Sequence, residues 1–406
     1  MKLGSPDRNK GGAQMSSVTI SLGAAGDVLA RSGLFPSRRA PRLRREAIAQ
    51  PVDRSLPPLR IALLVPFHGA DAIWGPSCQY SAVMAAAELN AKGGILGRQI
   101  ELLAADAGGD PAEVEGRVRA LLASDAPEVL IGVHLSSVRE RLSRAFGGSL
   151  PYVFTPLYEG GIRECGTFAI GDTPQAQLAG PVDHLIRSES AQRWFLLGHD
   201  YVWPRKTHAW LSQHLTARGA EVVGEAYQPL SEEDFEPLLD WIEAAQPDMV
   251  MQSLVGSACL EFNRAFARRG LSQKILRLSG ALEENTLMAL EPAARENLYC
   301  ASSYFSSLNT PGNQAFQQRY YAVFGKNAPV QSVLSISCYE GMHFLAALTA
   351  QAGSLRLPRL EEAFRSGLWF EAARGPVRLK NGNVVAPSYL ARAGATGFDI
   401  VARFDS

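Results

Sequence analysis

The sequence predicts an α/β protein built as two doubly wound parallel-sheet lobes joined by a multi-strand hinge. Three observations predict it. Short apolar runs alternate with helical stretches from residue 59 onward, through connections of a few residues. The alternation breaks once, at Gly166-Thr167-Phe168-Ala169-Ile170-Gly171-Asp172-Thr173-Pro174, and restarts with a second unit of similar size. At 406 residues the chain is also too long for one compact domain. The expected division is a first lobe of residues 59–172 and 303–370, and a second of 173–302 and 371–400.

Arg60-Ile61-Ala62-Leu63-Leu64-Val65-Pro66 opens the first lobe as a buried strand. A helix over 77–90 follows, stopped by Gly93-Gly94, which take positive φ cheaply. Strand 99–105, helix 112–123 behind Pro111, strand 128–133, helix 138–146 and strand 152–154 complete the unit. The second unit reads helix 175–188, strand 194–197, helix 206–218, strand 221–226, helix 235–245, strand 249–253, helix 259–269 and strand 275–278. Strand 297–302 then leads back to the first lobe at Tyr304-Phe305-Ser306-Ser307, followed by helices 313–324 and 333–350.

One crest organises the second lobe. Trp194-Phe195-Leu196-Leu197 runs into Gly198-His199-Asp200-Tyr201-Val202-Trp203-Pro204-Arg205, an apolar strand giving way to a polar-aromatic loop and a helix opened by Pro204. Ligands of open α/β sheets sit at such carboxyl ends of strands. Tyr201 and Trp203 are expected to form one wall of a small-molecule cleft, with Asp200 able to accept from the helix-start amides. Ser136 and Ser137 occupy the matching place in the first lobe, where hydroxyls add donor and acceptor capacity to a helix start. Capping is the stronger reading for Ser137; for Ser136 capping and ligand contact both stay open.

Composition narrows the function. Net charge is +0, against a dominant nucleic-acid surface, and no apolar run reaches the roughly 20 residues of a membrane span. The 5 Cys are scattered without a CxxC pair, against a disulfide framework or zinc site. Reduced cysteines fit a cytoplasmic protein, with the periplasm as the alternative. Residues 1–58, rich in Gly, Ser, Pro and Arg, read as a disordered basic extension; residues 18–30 are too interrupted for a signal-peptide core. GxSxG, P-loop, GxGxxG and HExxH patterns are absent, so no enzyme, cofactor or metal is expected.

Leu89-Asn90-Ala91-Lys92-Gly93-Gly94-Ile95-Leu96-Gly97-Arg98-Gln99-Ile100-Glu101-Leu102 resembles the signature joining the first helix to the second strand in type I periplasmic-binding-protein folds. Gly108-Gly109-Asp110-Pro111, Thr155-Pro156 with Tyr158-Glu159-Gly160, Val255-Gly256-Ser257, Tyr304-Phe305-Ser306-Ser307 and Gly375-Pro376-Val377-Arg378 extend the likeness. Together they resemble the amide- and urea-binding branch, AmiC-like and UrtA-like, over residues 59–393. That resemblance implies a non-catalytic receptor closing over a small neutral ligand. It implies ligand contacts from Ser136, with His134 at the preceding aromatic place, from Phe154, Thr155 and Tyr158 after the fourth strand, and from Tyr201, Trp203 and Ser257. Trp203 stands where Tyr is usual, trading an acceptor for area and pointing to a larger or aromatic ligand. Asn381-Gly382-Asn383 lacks the His of the urea branch. The leading expectation is an AmiC-like cytoplasmic sensor acting on an antiterminator-type partner. The second is an exported receptor serving an ABC permease for urea, short amides or branched-chain amino acids. Self-association is left open in both.

Overall fold

The computed structural model describes residues 18–20, 22, 55–161 and 163–405. The first unit runs β1 (Val18–Ile20), β2 (Leu59–Val65), α1 (Gly75–Ala91), β3 (Ile100–Asp106), α2 (Pro111–Asp125), β4 (Val129–Gly132), α3 (Ser136–Phe146), β5 (Tyr152–Phe154) and β6 (Thr167–Ala169). The second runs α4 (Pro174–Ser188), β7 (Arg193–His199), α5 (Val202–Thr216), β8 (Glu221–Gln228), α6 (Glu236–Ala245), β9 (Met249–Ser253), α7 (Gly256–Arg268), β10 (Leu276–Ser279), α8 (Glu284–Met288), α9 (Pro292–Arg295) and β11 (Leu298–Ser302). Helices α10 (Pro311–Phe324), α11 (Val333–Ala352) and α12 (Leu357–Ser366) follow, then β12 (Leu368–Phe370), β13 (Val377–Lys380), β14 (Asn383–Val385), β15 (Ser388–Ala393) and β16 (Phe398–Phe404).

Two main sheets result, ordered β1-β3-β2-β4-β5-β6 and β16-β15-β11-β10-β9-β7-β8. Strands β2 to β6 pair in parallel, as do β7 to β11. Strand β2 is buried at every position but Arg60, the burial on both faces that a helix-covered parallel sheet imposes. The predicted two-lobed α/β architecture is therefore the observed one.

Three details differ. Most of the extension over residues 1–58 lies outside the described residues, but Val18–Ile20 forms an edge strand, not disordered chain. It pairs antiparallel with β3, Val18 opposite Ala104 and Ile20 opposite Leu102. Two β-branched residues flanking Thr19 suit an edge strand. Second, β12, β13 and β14 form a separate small sheet in that order, and Phe370 packs edge-on against Phe344 of α11 at 5.6 Å. The chain joins the second sheet only at Ser388, where β15 pairs with β11; it does not do so at 371. Third, α11 has the length and composition of a membrane span, but 78% of that window is buried inside the fold.

Helix α11 is held by a buried charge cluster. Glu88 of α1 accepts from Arg319 Nε of α10 at 2.8 Å and from the Tyr339 hydroxyl at 2.6 Å. Burial pushes the Glu88 carboxyl up, but His343, Arg319 and Tyr339 outweigh it and bring its pKa down to about 2. The pair therefore stays ionised across the neutral range and fixes three helices on one face of the first sheet.

Candidate ligand-binding cleft

The carboxyl ends of both main sheets face one another. The hollow lined from both lobes has a volume of about 30 Å³, far short of the ~300 Å³ or more of an open ligand site. The lobes thus meet in a closed arrangement. The Ser257 amide donates to the Ala70 carbonyl at 3.3 Å. Gly256 has φ +58, and a Cβ there would lie 1.5 Å from Ala70 O. Only glycine meets both demands, so any other residue here would prop the lobes apart.

The first lobe contributes Trp74, His134, Leu135 and Ser136 to this hollow, and the second contributes Tyr201, Trp203, Val255 and Ala281. Pro156, Leu157 and Leu334 close its back. Four expected residues, His134, Ser136, Tyr201 and Trp203, are therefore brought together. Thr155 lines an adjoining hollow of about 20 Å³. Phe154 and Tyr158 belong to the core beneath α3, with the Arg139 guanidinium 5.6 Å and 5.2 Å from their ring centres, and the Tyr158 hydroxyl donates to Gly161 O at 3.0 Å. Ser137 is half-buried and Ser257 exposed; neither lines either hollow. Asp200 is paired with Arg205 Nε at 2.7 Å and does not cap α5. That helix begins at Val202, two residues before Pro204.

The polar groups at the wall are mostly engaged. Burial brings the His134 imidazole down to about 4, and it is neutral. Its Nδ1 lies 3.1 Å from Leu135 O and its Nε2 2.8 Å from the Tyr152 hydroxyl, so both nitrogens are used. Ser136 Oγ donates to Glu159 Oε2 at 2.8 Å, and Arg139 binds the other carboxylate oxygen. The hydroxyl keeps its lone pairs for a guest. Burial pushes the Tyr201 phenol well above its usual range, with Asp71 and Glu159 adding to it, so Tyr201 stays a neutral donor. The Trp74 indole N–H is buried with no partner.

The backbone supplies what the side chains do not. Leu135, Tyr201 and Val255 are the N-cap residues of α3, α5 and α7, and none gives its helix a side-chain cap. All three line the hollow. Three helix starts without side-chain caps, each bringing the positive end of its dipole, therefore open on one space, and of their first-turn amides that of Ser257 is already taken by Ala70 O. No lysine or arginine lines it among the described residues. Leu135 and Val255 were not expected at the site, although an apolar residue where a helix start wants Ser, Thr or Asp is a readable signal.

The model of the family described as periplasmic binding protein matches residues 58–397. The chain belongs to the periplasmic binding protein family. This family member is similar to Leu/Ile/Val-binding protein homolog 6 of Brucella melitensis, 28% identical over 171 residues, a match spanning 40% of this chain and 43% of that one. A leucine binding protein of Thermotoga maritima superposes with a TM-score of 0.76 at 17% identity, covering 86% of this chain and 99% of its own. An ABC-transporter solute binding protein of Rhodopseudomonas palustris BisB5, solved with 3,4-dihydroxybenzoic acid, superposes with a TM-score of 0.73 at 20% identity, covering 86% and 97%. At such identities the two structures share the fold.

Proposed function

We propose that this periplasmic binding protein is the solute receptor of an ABC transporter, working in the periplasm, and that its solute is a small carboxylic acid with an apolar or aromatic body. The observation that carries this is the convergence of three uncapped helix starts on an aromatic-walled hollow. A carboxylate accepts several N–H bonds at once and is favoured by each dipole, so it can cap all three helices without a cationic side chain. Trp74, Tyr201 and Trp203 offer flat, rigid surface for the rest of the molecule.

The relatives named above support the same class, since their descriptions concern leucine, other branched-chain amino acids and a hydroxylated benzoic acid. They favour the receptor over an AmiC-like antiterminator partner, and the helix starts favour an anion over a neutral amide. The role is binding, not catalysis: a guest touching both walls stabilises the closed form, and closure is what a permease reads.

A thermal-shift comparison of benzoate, 4-hydroxybenzoate, leucine, acetamide and urea tests this. A ligand at a hundred times its dissociation constant adds about 2.7 kcal/mol to the stability of the folded form. The acids are expected to raise Tm. A rise with acetamide or urea and none with the acids would overturn the reading in favour of amide sensing.

A further inference from the structure

Behind the helix starts lies the second hollow, of about 20 Å³. It shares Pro156, Leu157 and Leu334 with the first, so these three residues form the partition between the two. Its far wall lies where chain from the two lobes meets, at Asp172, Ser303 and Arg374. The Ser303 hydroxyl donates to the Asp172 carboxylate. Arg374 Nη1 donates to Ser303 O at 3.1 Å, and its Nη2 donates to Glu340 Oε2 at 2.9 Å.

Two atoms of this network are left over. Arg374 Nε and Glu340 Oε1 are shut from solvent and have no hydrogen-bond partner, while the Glu340 side chain is only 5% exposed. A guanidinium nitrogen only donates, and an ionised carboxylate oxygen only accepts. Thr155 and Ser337, on the same wall, already satisfy each other at 2.9 Å. Buried polar atoms in native folds are nearly always paired, so an unmatched donor and an unmatched acceptor on two residues that line one small hollow point to a guest that reaches in and supplies both.

We propose that the inner hollow is a second subsite of the cleft, and that it takes a hydroxyl at the far end of the solute, accepting from Arg374 Nε and donating to Glu340 Oε1. This rests on the reading of the outer hollow as a carboxylate site. A carboxylate in the inner hollow would leave Arg374 matched but face Glu340 with a second negative charge; an ammonium would leave Arg374 unmatched. A hydroxyl serves both. The solute is then bipolar, with its acid group at the helix starts, its apolar body displacing Leu157 and Leu334, and its hydroxyl at the hinge. Because Asp172 and Ser303 belong to the connections between the lobes and Arg374 donates to Ser303 O, occupancy of this subsite acts on segments that bend during closure.

Isothermal titration of the full chain with benzoate and 4-hydroxybenzoate tests this. The hydroxylated acid is expected to bind at least tenfold more tightly. Glu340→Gln puts an amide N–H₂ or a crowded carbonyl where the hydroxyl must donate, and is expected to bring 4-hydroxybenzoate down to the affinity of benzoate while changing benzoate by less than threefold. Equal affinities for the two acids in the wild type, or an equal loss of both in the variant, would overturn the inner subsite and leave the outer one standing. Binding of neither acid would remove the outer reading and the inner one with it. Where Glu340→Gln does not fold, the wild-type comparison, repeated with 3-hydroxybenzoate as the misplaced hydroxyl, decides alone: equal binding of all three acids refutes the subsite, and a preference for the 4-hydroxyl supports it.

Discussion

Three helices that open onto the cleft, α3, α5 and α7, are begun by different residues from the rest. The rest include α1, whose N-cap Trp74 lines the hollow but which has a proline in its first two positions, and α11, whose Leu334 lines it but which Ser332 caps. Asp110, Thr173, Glu283, Thr310 and Ser332 each accept from first-turn amides of the helix they start. Helices α1, α6, α9 and α12 carry a proline in their first two positions, which removes a donor that would need a partner. Leu135, Tyr201 and Val255 begin α3, α5 and α7 with neither device. A missing cap forgoes about 1 kcal/mol, so three missing caps at one place are a local sacrifice of stability. On the proposed function the difference has a use: apart from the Ser257 amide, which Ala70 O accepts, these starts are left for a solute to cap.

The contrast breaks most sharply if one of these starts is given a cap of its own. Leu135→Asp places a carboxylate beside the α3 amides, where the solute's acid group is proposed to sit. Two like charges ~4 Å apart at an effective dielectric constant of about 20 repel by about 4 kcal/mol, so acid affinity is expected to fall about a thousandfold while Tm holds or rises. Unchanged affinity by titration calorimetry would mean the helix starts do not face the solute's charge.

Asp71, in the same lobe as Leu135, sharpens the contrast. It begins the short turn Ala72–Trp74 yet makes no capping bond, and its Oδ2 is buried without a partner. Burial, against its own backbone hydrogen bond and with Asp106 adding to it, raises this carboxyl from 3.8 to about 7; His68 pulls weakly the other way, and Tyr201 faces it from the second lobe. A carboxyl raised on folding favours the folded form most below about pH 4, and that advantage is lost as pH climbs to about 7. Asp71→Asn is therefore expected to raise Tm by several degrees at pH 8 and hardly at all near pH 4, read from paired melting curves. A uniform change at both pH values would show that Asp71 is not buried as a neutral acid.

How much of this was legible in the sequence follows from what each signal depends on. Strand β4 was expected over 128–133 and spans Val129–Gly132; α2 was expected over 112–123 and spans Pro111–Asp125. Such elements declare themselves through local periodicity and Pro or Gly punctuation. Val18–Ile20 did not, because three residues inside a Gly- and Arg-rich stretch have no period to read. The small sheet β12–β14 alternates buried and exposed positions over three or four residues, too short a run to stand out. At the site, Tyr201 and Ser136 were visible as polar residues on a sheet crest. Leu135 and Val255 were passed over because an apolar residue after a strand first reads as core; the signal they carry is the missing cap at a helix start. Arg374 and Glu340 were hidden because their pairing depends on how the loop between β12 and β13 folds onto α11.

Smaller effects test whether the two classes of helix start differ in kind. Trp74→Phe keeps the aromatic wall and removes the unpartnered indole N–H; a hydrogen bond to a charged group contributes about 1.5 kcal/mol, so acid affinity should fall about tenfold with Tm unchanged or higher. Asp110→Ala should do the reverse. Asp110 Oδ1 accepts from the Ala112 amide at 2.8 Å at the exposed start of α2, on a wall that does not line either hollow. Its loss costs about 1 kcal/mol, a Tm drop of roughly 2–4 °C in a lobe of this size, with acid affinity untouched. Stability lost at one class of start and affinity at the other is the pattern expected of starts that the chain caps for itself and starts that it leaves for a solute. If Trp74→Phe moved only Tm, or Asp110→Ala moved affinity, that division between the two sets of helices would fail.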